Sequence, residues 1–448
     1  MSRMFGTDGV RGIAGTELDC RLAFDLGRAG AHVLTSGTRK PRILVGRDTR
    51  VSGTMLEASL CAGICSVGAQ AVTVGVVPTP AVAYLTRIHH FDAGVMISAS
   101  HNPMEYNGIK FFSGSGYKLD DAVEDEIEAI IAGGCVNLEQ PTGIDVGTVT
   151  AMNRGAEEYI DYLVSLNRVD LSGLKVSIDC ANGAVSYIAP EFLRRLGVEV
   201  ISVYDTPNGH NINAGCGSTH MAALTGIVKD TGSDFGLAFD GDADRLLAVD
   251  ERGSIVDGDK IMMICARDLK DQGKLIKDTL VVTVMSNLGL SVAASKLGIA
   301  LEKTKVGDRY VLECMREKGY CLGGEQSGHV IFLEDNTTGD GLLTALRLME
   351  SYKKNGCQMS ELAGIMKEMP QVLVNVKVPG SKKQSIAEDA RIAEQIARIE
   401  AFYGEAGRVL VRPSGTEDLV RIMIEGPDAQ QIERDAENLA GLIADSIV

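Results

Sequence analysis

The hydrophobic pattern repeats a strand, a helix and a second strand in three places along the chain. Apolar runs at 43–45, 175–179 and 279–284 each predict a strand, and a helix and a further strand follow each run. Each second strand comes after a glycine, where a helix C-terminus favours a left-handed backbone. These glycines are Gly68, Gly197 and Gly298. Because alternating strands and helices favour parallel sheets with right-handed crossovers, the pattern predicts three related mixed α/β domains.

The last part of the chain has a different pattern. Residues 372–378 alternate like a strand, and the charged stretch 383–402 predicts a helix. Two further predicted strands, 407–411 and 419–424, flank a Pro-Ser-Gly turn. The closing segment has apolar side chains at helical spacing, at Ile432, Leu439, Ile443 and Ile447. We predict a smaller C-terminal α+β domain.

Chain length and the breaks in this pattern predict four domains. The chain has 448 residues, too many for one hydrophobic core, since domains commonly have about 100–200 residues. We place an α/β domain with a serine loop at 1–153 and a second, with an aspartate loop, at 154–256. A third α/β domain with a polar Gly-rich loop follows at 257–369, and its last predicted helix, 359–369, stops before a proline. The C-terminal α+β domain occupies 370–448.

Composition and charge exclude several classes of function. A net charge of −16 disfavours an extended nucleic-acid surface, because binding a phosphate backbone needs clustered Lys and Arg. The ten cysteines are scattered without a C-x-x-C pair, which predicts reduced thiols. An uncharged run of 29 residues at 58–86 is interrupted by glycines and prolines, so it predicts a helix, a turn, a strand and a loop instead of a membrane span. Since the N-terminal segment also lacks an apolar signal region, we expect a cytoplasmic protein with no nucleic-acid or membrane partner.

The clearest chemical signal is a loop with three aspartates, Asp240, Asp242 and Asp244, between two strand-like segments. In extended backbone, carboxylates at alternate positions point the same way and can converge on one hard cation. Three adjacent carboxylates repel one another unless a metal neutralises them. An EF-hand is excluded because Arg245 stands where that loop needs glycine and the flanks are not helical. A solvated acidic turn is the alternative to a metal site.

A polar serine loop follows the apolar run 94–97. It contains Ser100 and His101, and Lys110 comes shortly after it. A serine on a loop after a buried strand is a candidate nucleophile. Adjacent Ser and His side chains rarely form a hydrolase-type pair, and no G-x-S-x-G motif is present, so a serine hydrolase is disfavoured. Taken alone, the loop fits a purely structural role equally well.

Two further loops carry side chains suited to ligands. Residues 323–329 combine a carboxylate, an amide, a hydroxyl and an imidazole on a Gly-rich segment, which suits a polyhydroxylated ligand. Residues 412–417 are small and polar, and together with Arg412 and Arg421 they predict an anion-binding nest. A polar turn between strands is the alternative for the first loop, and a plain hairpin turn is the alternative for the second.

Taken in order and at these spacings, the four loops resemble the motifs of the α-D-phosphohexomutase superfamily over the whole chain. Together with residues 5–12, the segments 97–103, 323–329 and 412–417 are most similar to the bacterial branch that interconverts glucosamine phosphates. The branch that acts on mannose and glucose phosphates more often has Met at the position of Gln326 and Asn-Thr in place of Gly415-Thr416. Ala243 replaces a glycine that is frequent in the aspartate loop, a change that many relatives share.

The resemblance implies a role for individual residues. Ser100 would carry a phosphoryl group, and its phosphate would bind one Mg²⁺ per chain together with Asp240, Asp242 and Asp244. Lys110 matches the general acid/base, and Arg11, His101 and Arg245 would line the transfer site. The residues that would bind the sugar are Thr304, Gly307, Asp308, Arg309, Glu325, Ser327 and His329. Those that would bind the non-reacting phosphate are Arg412, Ser414, Gly415, Thr416 and Arg421. The family fold places its four domains around a central cleft.

The resemblance also implies a reaction. We expect a mutase that interconverts glucosamine 6-phosphate and glucosamine 1-phosphate, with glucosamine 1,6-bisphosphate as intermediate and activator. Its product would feed UDP-N-acetylglucosamine and cell-wall synthesis. The nearest alternative is a phosphomannomutase/phosphoglucomutase with the same mechanism; a sensor without turnover and a phosphatase are more distant alternatives. The expected partner is a small-molecule sugar phosphate, and the sequence is also compatible with a homodimer.

Overall fold

The described chain divides into two units. A computed structural model describes residues 3–6, 9–35, 37, 40–138, 140–383, 386, 389–413 and 418–446. The first unit consists of residues 1–285 and 299–365, and the second of residues 286–298 and 366–448. Three β-sheets belong to the first unit and one to the second.

The first sheet has seven strands in the order β1-β2-β6-β5-β3-β4-β7. They are β1 (Phe5–Gly6), β2 (Gly9–Ile13), β3 (Arg42–Arg47), β4 (Gln70–Val76), β5 (Ala93–Ile97), β6 (Tyr106–Ser113) and β7 (Val149–Ala151). β5, β3, β4 and β7 pair in parallel, and the remaining pairs are antiparallel. Ile43, Leu44 and Val45 are fully buried, as expected for a parallel strand covered on both faces. Because β3 and β5 are parallel neighbours, the polar residues that follow them lie side by side.

Five helices accompany this sheet, and two of them explain the long uncharged run. They are α1 (Cys20–Leu34), α2 (Val51–Ser66), α3 (Thr79–Ile88), α4 (Asp121–Ala132) and α5 (Gly155–Ser165). Residues 58–86 cover the end of α2, all of β4 and most of α3. The predicted helix and strand are confirmed, but the predicted loop is wrong, because Pro80 lies in the first turn of α3, where proline costs no hydrogen bond. Within the described ranges, no helix has the length and apolar character that a membrane span requires.

The second and third sheets each contain a hairpin whose loop is one of the predicted ligand loops. The second, in the order β12-β11-β10-β8-β9, contains β8 (Lys175–Asp179), β9 (Glu199–Val203), β10 (Phe235–Phe239), β11 (Leu246–Asp250) and β12 (Ile255–Val256). The third, in the order β14-β13-β15-β16, contains β13 (Thr279–Thr283), β14 (Ala300–Thr304), β15 (Leu322–Gly324) and β16 (Val330–Phe332). Phe239 pairs with Leu246, and Gly324 pairs with Val330, so the aspartate loop and the Gly-rich loop are both hairpin loops.

Seven helices follow in this part of the chain. They are α6 (Ile188–Arg195), α7 (Ala222–Thr231), α8 (Gly258–Asp271), α9 (Leu288–Lys296), α10 (Asp308–Lys318), α11 (Gly341–Asn355) and α12 (Met359–Ala363). All except α9, which belongs to the second unit, lie in the first. Asp257 and Asp340 cap α8 and α11 by accepting backbone N–H groups of their first turns, which fixes where these helices begin.

The second unit is built on a three-stranded antiparallel sheet in the order β17-β19-β18. Its strands are β17 (Gln371–Lys377), β18 (Arg408–Pro413) and β19 (Leu419–Glu425), and its later helices are α13 (Ala390–Tyr403) and α14 (Ala429–Asp445). Ile432, Leu439 and Ile443 are fully buried on one face of α14. This confirms the predicted apolar face except for Ile447, which lies outside the described residues.

One predicted helix is shorter in the structure, and another is described only in part. The helix predicted at 359–369 stops at Ala363, because Gly364 follows it and the residue before Pro370 is biased towards extended backbone. Of the helix predicted at 383–402, the structure describes α13 from Ala390, where the Asp389 side chain accepts from the Arg391 N–H, and Lys383 and Ile386 are helical as well, while 384, 385, 387 and 388 lie outside the described residues. The fold class itself is confirmed: mixed α/β sheets are followed by a smaller C-terminal α+β part.

All ten cysteines are free, as the sequence predicts. Burial raises the pKa of Cys61 and of Cys216 to about 12. These buried thiols are therefore poor nucleophiles at neutral pH and act as small apolar side chains.

Candidate active site

Ser100 follows the buried strand β5 and contacts the aspartate loop. Its Oγ donates a hydrogen bond to Asp240 Oδ2 over 2.6 Å. The Ser100 backbone is left-handed, with a φ of 53°, which is uncommon for a residue other than glycine and is often found at functional sites. Only 1% of the residue is exposed. The hydroxyl is therefore held in one place and shielded from water.

The aspartate loop between β10 and β11 gathers three buried carboxylates. Asp240, Asp242 and Asp244 each offer an oxygen, and these oxygens lie within 4.8 Å of one another. The loop is a turn, since the Ala243 N–H donates to the Asp240 carbonyl over 3.1 Å and Ala243 has a φ of 52°. The prediction of extended backbone is therefore wrong, although the predicted convergence of the carboxylates is found.

These carboxylates fit a divalent cation. The Oδ1 atoms of Asp242 and Asp244 are buried and accept no hydrogen bond from any residue in the described ranges. Burial, together with the charges of Asp244 and Asp242, raises the pKa of Asp240 well above its usual value. A cation bound by these oxygens would satisfy the orphaned atoms and neutralise the repulsion. The loop can thus hold a metal ion.

Lys110 reaches the same loop from strand β6. Its Nζ donates to Asp242 Oδ2 over 2.8 Å and lies 3.9 Å from Asp244 Oδ2. In the antiparallel pair of β5 and β6, Lys110 is opposite Met96, shortly before the serine loop. Thr79, at the start of α3, also donates to Asp242 Oδ2, over 2.6 Å. The first sheet and its helix therefore supply two donors that fix this carboxylate.

The imidazole of His101 lies between Ser100 and Arg245. Its Nδ1 is 3.2 Å from Ser100 Oγ and accepts from Arg245 Nη1 over 3.2 Å. Because a guanidinium only donates, this Nδ1 carries a lone pair and the ring proton lies on Nε2. Burial, with the charges of Arg245 and Arg11, lowers the pKa of His101 to about 4. The ring is neutral near pH 7, and since Ser100 donates to Asp240, the two residues do not form a hydrolase-type pair.

Arg11 lies on strand β2 beside the serine loop. Its Nη1 donates to Asn102 Oδ1 over 3.5 Å. β2 pairs with β6, and Arg11 is opposite Gly108. The structure thus places Arg11, His101 and Arg245 at the same serine loop.

The Gly-rich loop between β15 and β16 connects to the aspartate loop through His329. Its Nδ1 is 3.5 Å from Asp244 Oδ2, and its Nε2 is 3.5 Å from Asp308 Oδ2. The Gly339 N–H donates to the same Nε2 over 3.1 Å. Glu325 Oε1 accepts from the Gly307 N–H over 3.1 Å. The structure therefore brings the 304–309 segment and the Gly-rich loop together.

Burial distinguishes the side chains of these two segments. The pKa of Glu325 is raised, because burial raises it by more than the nearby His329 lowers it. Ser327 is exposed, and the Thr304 hydroxyl donates to the Lys305 carbonyl over 2.9 Å. These two segments thus present a partly buried carboxylate and an exposed serine hydroxyl.

Arg309 is held by acidic groups of helix α4. Its Nη1 donates to Asp121 Oδ1 over 2.6 Å and lies 3.4 Å from Glu124 Oε2. The neighbouring Asp308 accepts a hydrogen bond from Lys118 Nζ. Ion pairs thus hold the 304–309 segment against residues 118–124 of the first sheet's part of the chain.

Two arginines face each other in the second unit. Arg412 on β18 is directly opposite Arg421 on β19. Burial and the charge of Arg421 lower the pKa of Arg412. Like charges placed opposite each other are unfavourable unless an anion lies between them. Ser414, Gly415 and Thr416, the rest of the predicted phosphate loop, lie outside the described residues.

Sequence reasoning missed four side chains at this site. They are Asp48, Arg50, Thr79 and Asn213. Asp48 follows β3 and accepts from Ser98 Oγ over 2.6 Å. The sequence could have predicted this residue, because it directly follows a predicted strand, and polar residues after neighbouring parallel strands meet at one sheet edge. Asn213 could not have been predicted in this way, since it binds the serine loop from a position more than a hundred residues away in sequence.

Family models match almost the whole chain. The model described as phosphoglucomutase/phosphomannomutase, alpha/beta/alpha domain I, matches residues 2–134. Those of domains II and III match residues 157–253 and 257–369, and that of the C-terminal domain matches residues 373–442.

Individual relatives agree with these models. A phosphoglucosamine mutase of Clostridium novyi is 58% identical over 443 residues, which cover 99% of each chain. A phosphoglucomutase/phosphomannomutase family protein of Burkholderia thailandensis has a similar crystal structure, with a TM-score of 0.82, 23% identity and coverage of 99% of this chain and 98% of that one. An N-acetylphosphoglucosamine mutase of Aspergillus fumigatus, solved with GlcNAc-6P and magnesium, has a TM-score of 0.66 at 18% identity and covers 99% of this chain and 96% of that one.

Proposed function

Because the chain belongs to the phosphoglucomutase/phosphomannomutase family, we propose that it interconverts glucosamine 6-phosphate and glucosamine 1-phosphate through a phosphorylated Ser100. The proposed mechanism rests on the contacts of Ser100 and Lys110 with the aspartate loop. The Ser100 hydroxyl is bonded to Asp240 inside a buried cluster of three carboxylates, and Lys110 is bonded to Asp242 of the same cluster. A nucleophile, a proton carrier and a cation site thus share one protected space.

The reaction begins with Ser100 phosphorylated. A hydroxyl of the sugar phosphate attacks phosphorus, so that a new O–P bond forms as the Oγ–P bond of Ser100 breaks. For this step Lys110 acts as the neutral amine: it takes the proton of the attacking hydroxyl and returns that proton to the released Oγ, whose hydroxyl donates to Asp240 in the unphosphorylated chain. The product of this step is glucosamine 1,6-bisphosphate. When the bisphosphate has turned round, the reverse transfer restores phosphoserine and releases the isomer.

Charge stabilisation accounts for most of the rate of such a transfer, since little covalent catalysis is available. One Mg²⁺ per chain, bound by Asp240, Asp242, Asp244 and the phosphate on Ser100, would supply positive charge to the transferring group. Arg245, which bonds to His101 beside Ser100, adds a guanidinium. His101 stays neutral there and orients Arg245 without competing for the proton of Ser100.

Recognition of the substrate is assigned to the remaining predicted residues. Glu325, Ser327 and His329, with the 304–309 segment, would bind sugar hydroxyls and the amino group, for which buried carboxylates are suitable partners. Arg11 is assigned to the transfer site, and Arg412 and Arg421 of the second unit are assigned to phosphate. The proposed domains are 1–153, 154–256, 257–369 and 370–448, which the ranges matched by the four family models support. The proposal also places the protein in the cytoplasm, acting on small sugar phosphates.

The proposal is tested by comparing substrates in parallel. The purified chain, with Mg²⁺ and a trace of bisphosphorylated sugar, would receive the 1-phosphates of glucosamine, glucose and mannose. We expect kcat/KM for the amino sugar to exceed the others by about tenfold or more, because a site built for a polar group rejects analogues that lack it. Equal or faster turnover of glucose or mannose phosphate would assign the chain to the phosphoglucomutase/phosphomannomutase reaction, and release of free phosphate would identify a phosphatase.

A further inference from the structure

Two side chains outside the transfer machinery bind the backbone of the serine loop. Arg50 Nη2 donates to the carbonyls of Ser100 and Asn102, over 2.9 and 2.8 Å, and its Nη1 donates to the Pro103 carbonyl. Asn213 Nδ2 donates to the same carbonyls of Ser100 and Asn102, over 2.8 and 2.9 Å. Two residues distant in sequence thus contact one short stretch of backbone.

Arg50 is itself fixed by a buried ion pair. Its Nε donates to Asp48 Oδ2 over 2.9 Å, and the side chains of both residues are 0% exposed. Asp48 Oδ2 also accepts from Ser98 Oγ, which in turn accepts from the Ser100 N–H over 2.9 Å. The Arg50 and Asp48 pair therefore holds the loop at its carbonyls and, through Ser98, at the N–H of Ser100.

Asn213 approaches the loop together with the aspartate loop. A Cβ added to Gly241 would lie 2.4 Å from the Ser100 carbonyl oxygen and 3.0 Å from Asn213 Nδ2. The Ser100 carbonyl is therefore enclosed by Arg50, Asn213 and the backbone of Gly241. This contact links the position of the serine to that of the metal-binding aspartates.

The left-handed backbone of Ser100 needs such support. A serine does not favour a φ of 53°, so the surrounding contacts must hold it there. Phosphoryl transfer depends on accurate placement, and an error of about 1 Å can cost about a hundredfold in rate. We propose that Arg50 and Asn213 are positioning residues that bind the serine-loop carbonyls and aim Ser100 Oγ at the transfer site in both phosphorylation states. This inference rests on the proposed function.

The test compares Asn213→Ala with a matched control, Asn182→Ala. Asn182 is also a buried, left-handed asparagine, but its Nδ2 donates to the carbonyl of Asn211 and not to a serine-loop carbonyl. We expect Asn213→Ala to lower kcat with glucosamine 1-phosphate by about tenfold to a hundredfold, with KM changed less than about twofold. Asn182→Ala should leave kcat unchanged while lowering the melting temperature by a similar amount. Asn213→Ala with a wild-type kcat, or an equal loss of kcat in both variants, would overturn the proposal.

Two further measurements keep the test decisive. Arg50→Lys keeps a cation beside Asp48 but lacks the forked guanidinium that reaches three carbonyls. We therefore expect this variant to be phosphorylated on Ser100 more slowly by bisphosphorylated sugar, with the reaction monitored by intact-protein mass spectrometry. A rate of Ser100 phosphorylation equal to that of the wild type would also overturn the proposal. If Asn213→Ala does not fold, Asn213→Asp, which is the same size but cannot donate, replaces it with the same criteria. Lack of turnover by the unmodified chain would instead contradict the proposed function, and with it this inference.

Discussion

Buried charges define the candidate site at the scale of single residues. Lys110 and Asp242 have side chains that are 2% and 0% exposed, and their atoms approach to 2.8 Å. Charges removed from water to this extent are tolerated only when each has a partner, and removing one partner leaves the other uncompensated. Function and stability are therefore coupled at these residues.

Lys110→Met tests the assignment of Lys110 as proton carrier. Methionine has a similar length without the amine, so we expect kcat to fall by about 10²- to 10⁴-fold. Melting temperature without Mg²⁺ should fall as well, since Asp242 loses its counter-charge, and Mg²⁺ should restore part of the loss. Lys175→Met is the control, because Lys175 Nζ donates to the Thr231 carbonyl over 2.7 Å and lies 3.7 Å from Glu199 Oε1, and neither partner belongs to the aspartate loop. Unchanged turnover in Lys110→Met would contradict the assignment.

At the scale of elements, strands could be predicted from the sequence more accurately than helix ends. β8 has the predicted bounds, 175–179, because short apolar runs between turn residues define buried strands well. The helix predicted at 359–369 was too long, since it ends at Ala363, before Gly364, whereas the sequence pattern places its end next to Pro370.

The candidate site could be predicted only where its residues belong to local sequence motifs. Ser100, Lys110 and the three aspartates lie in local motifs, and the structure brings them together. Arg50 and Asn213 bind the backbone of another loop, and only the three-dimensional fold shows which loop that is. Predicting them would have required the pairing of β3 with β5 and the packing of the aspartate loop.

The contact between the two loops gives an element-scale prediction. Gly241→Ala adds a methyl group that would lie 2.4 Å from the Ser100 carbonyl oxygen, so one loop must shift. We expect kcat to fall by about tenfold or more, because Ser100 moves relative to the aspartates. Steady-state kinetics at saturating Mg²⁺ would show this. Full activity would mean that the loops can separate without consequence.

In contrast to Gly241→Ala, the substitution Gly226→Ala should increase stability and leave activity unchanged. Gly226 lies inside α7, and a Cβ there would meet nothing within 4 Å. Alanine has the higher helix propensity, so we expect the free energy of unfolding to rise by about 0.5–1 kcal/mol. Denaturant unfolding would measure this, and kcat should not change. A loss of stability would indicate that the helix surface is less open than described.

At the scale of the whole molecule, the charges of the aspartate loop link metal binding to folding. Three carboxylates held together without a cation repel one another in the folded chain only. A ligand that binds only the folded state stabilises it, by about 2.7 kcal/mol at 100 times its Kd. We expect Mg²⁺ to raise the melting temperature relative to EDTA, and Asp240→Asn to reduce that rise. The same melting temperature with Mg²⁺ and with EDTA would contradict the metal site.

The most direct test of the central claim follows one phosphoryl group through Ser100. The chain would be phosphorylated with ³²P-labelled bisphosphorylated sugar, freed of excess sugar, and mixed with unlabelled glucosamine 6-phosphate and Mg²⁺. We predict that the label leaves the protein and appears in glucosamine 1,6-bisphosphate and then in glucosamine 1-phosphate, and that Ser100→Ala takes up no label. Label that stays on the protein, is released as free phosphate, or is taken up equally by Ser100→Ala would contradict the account.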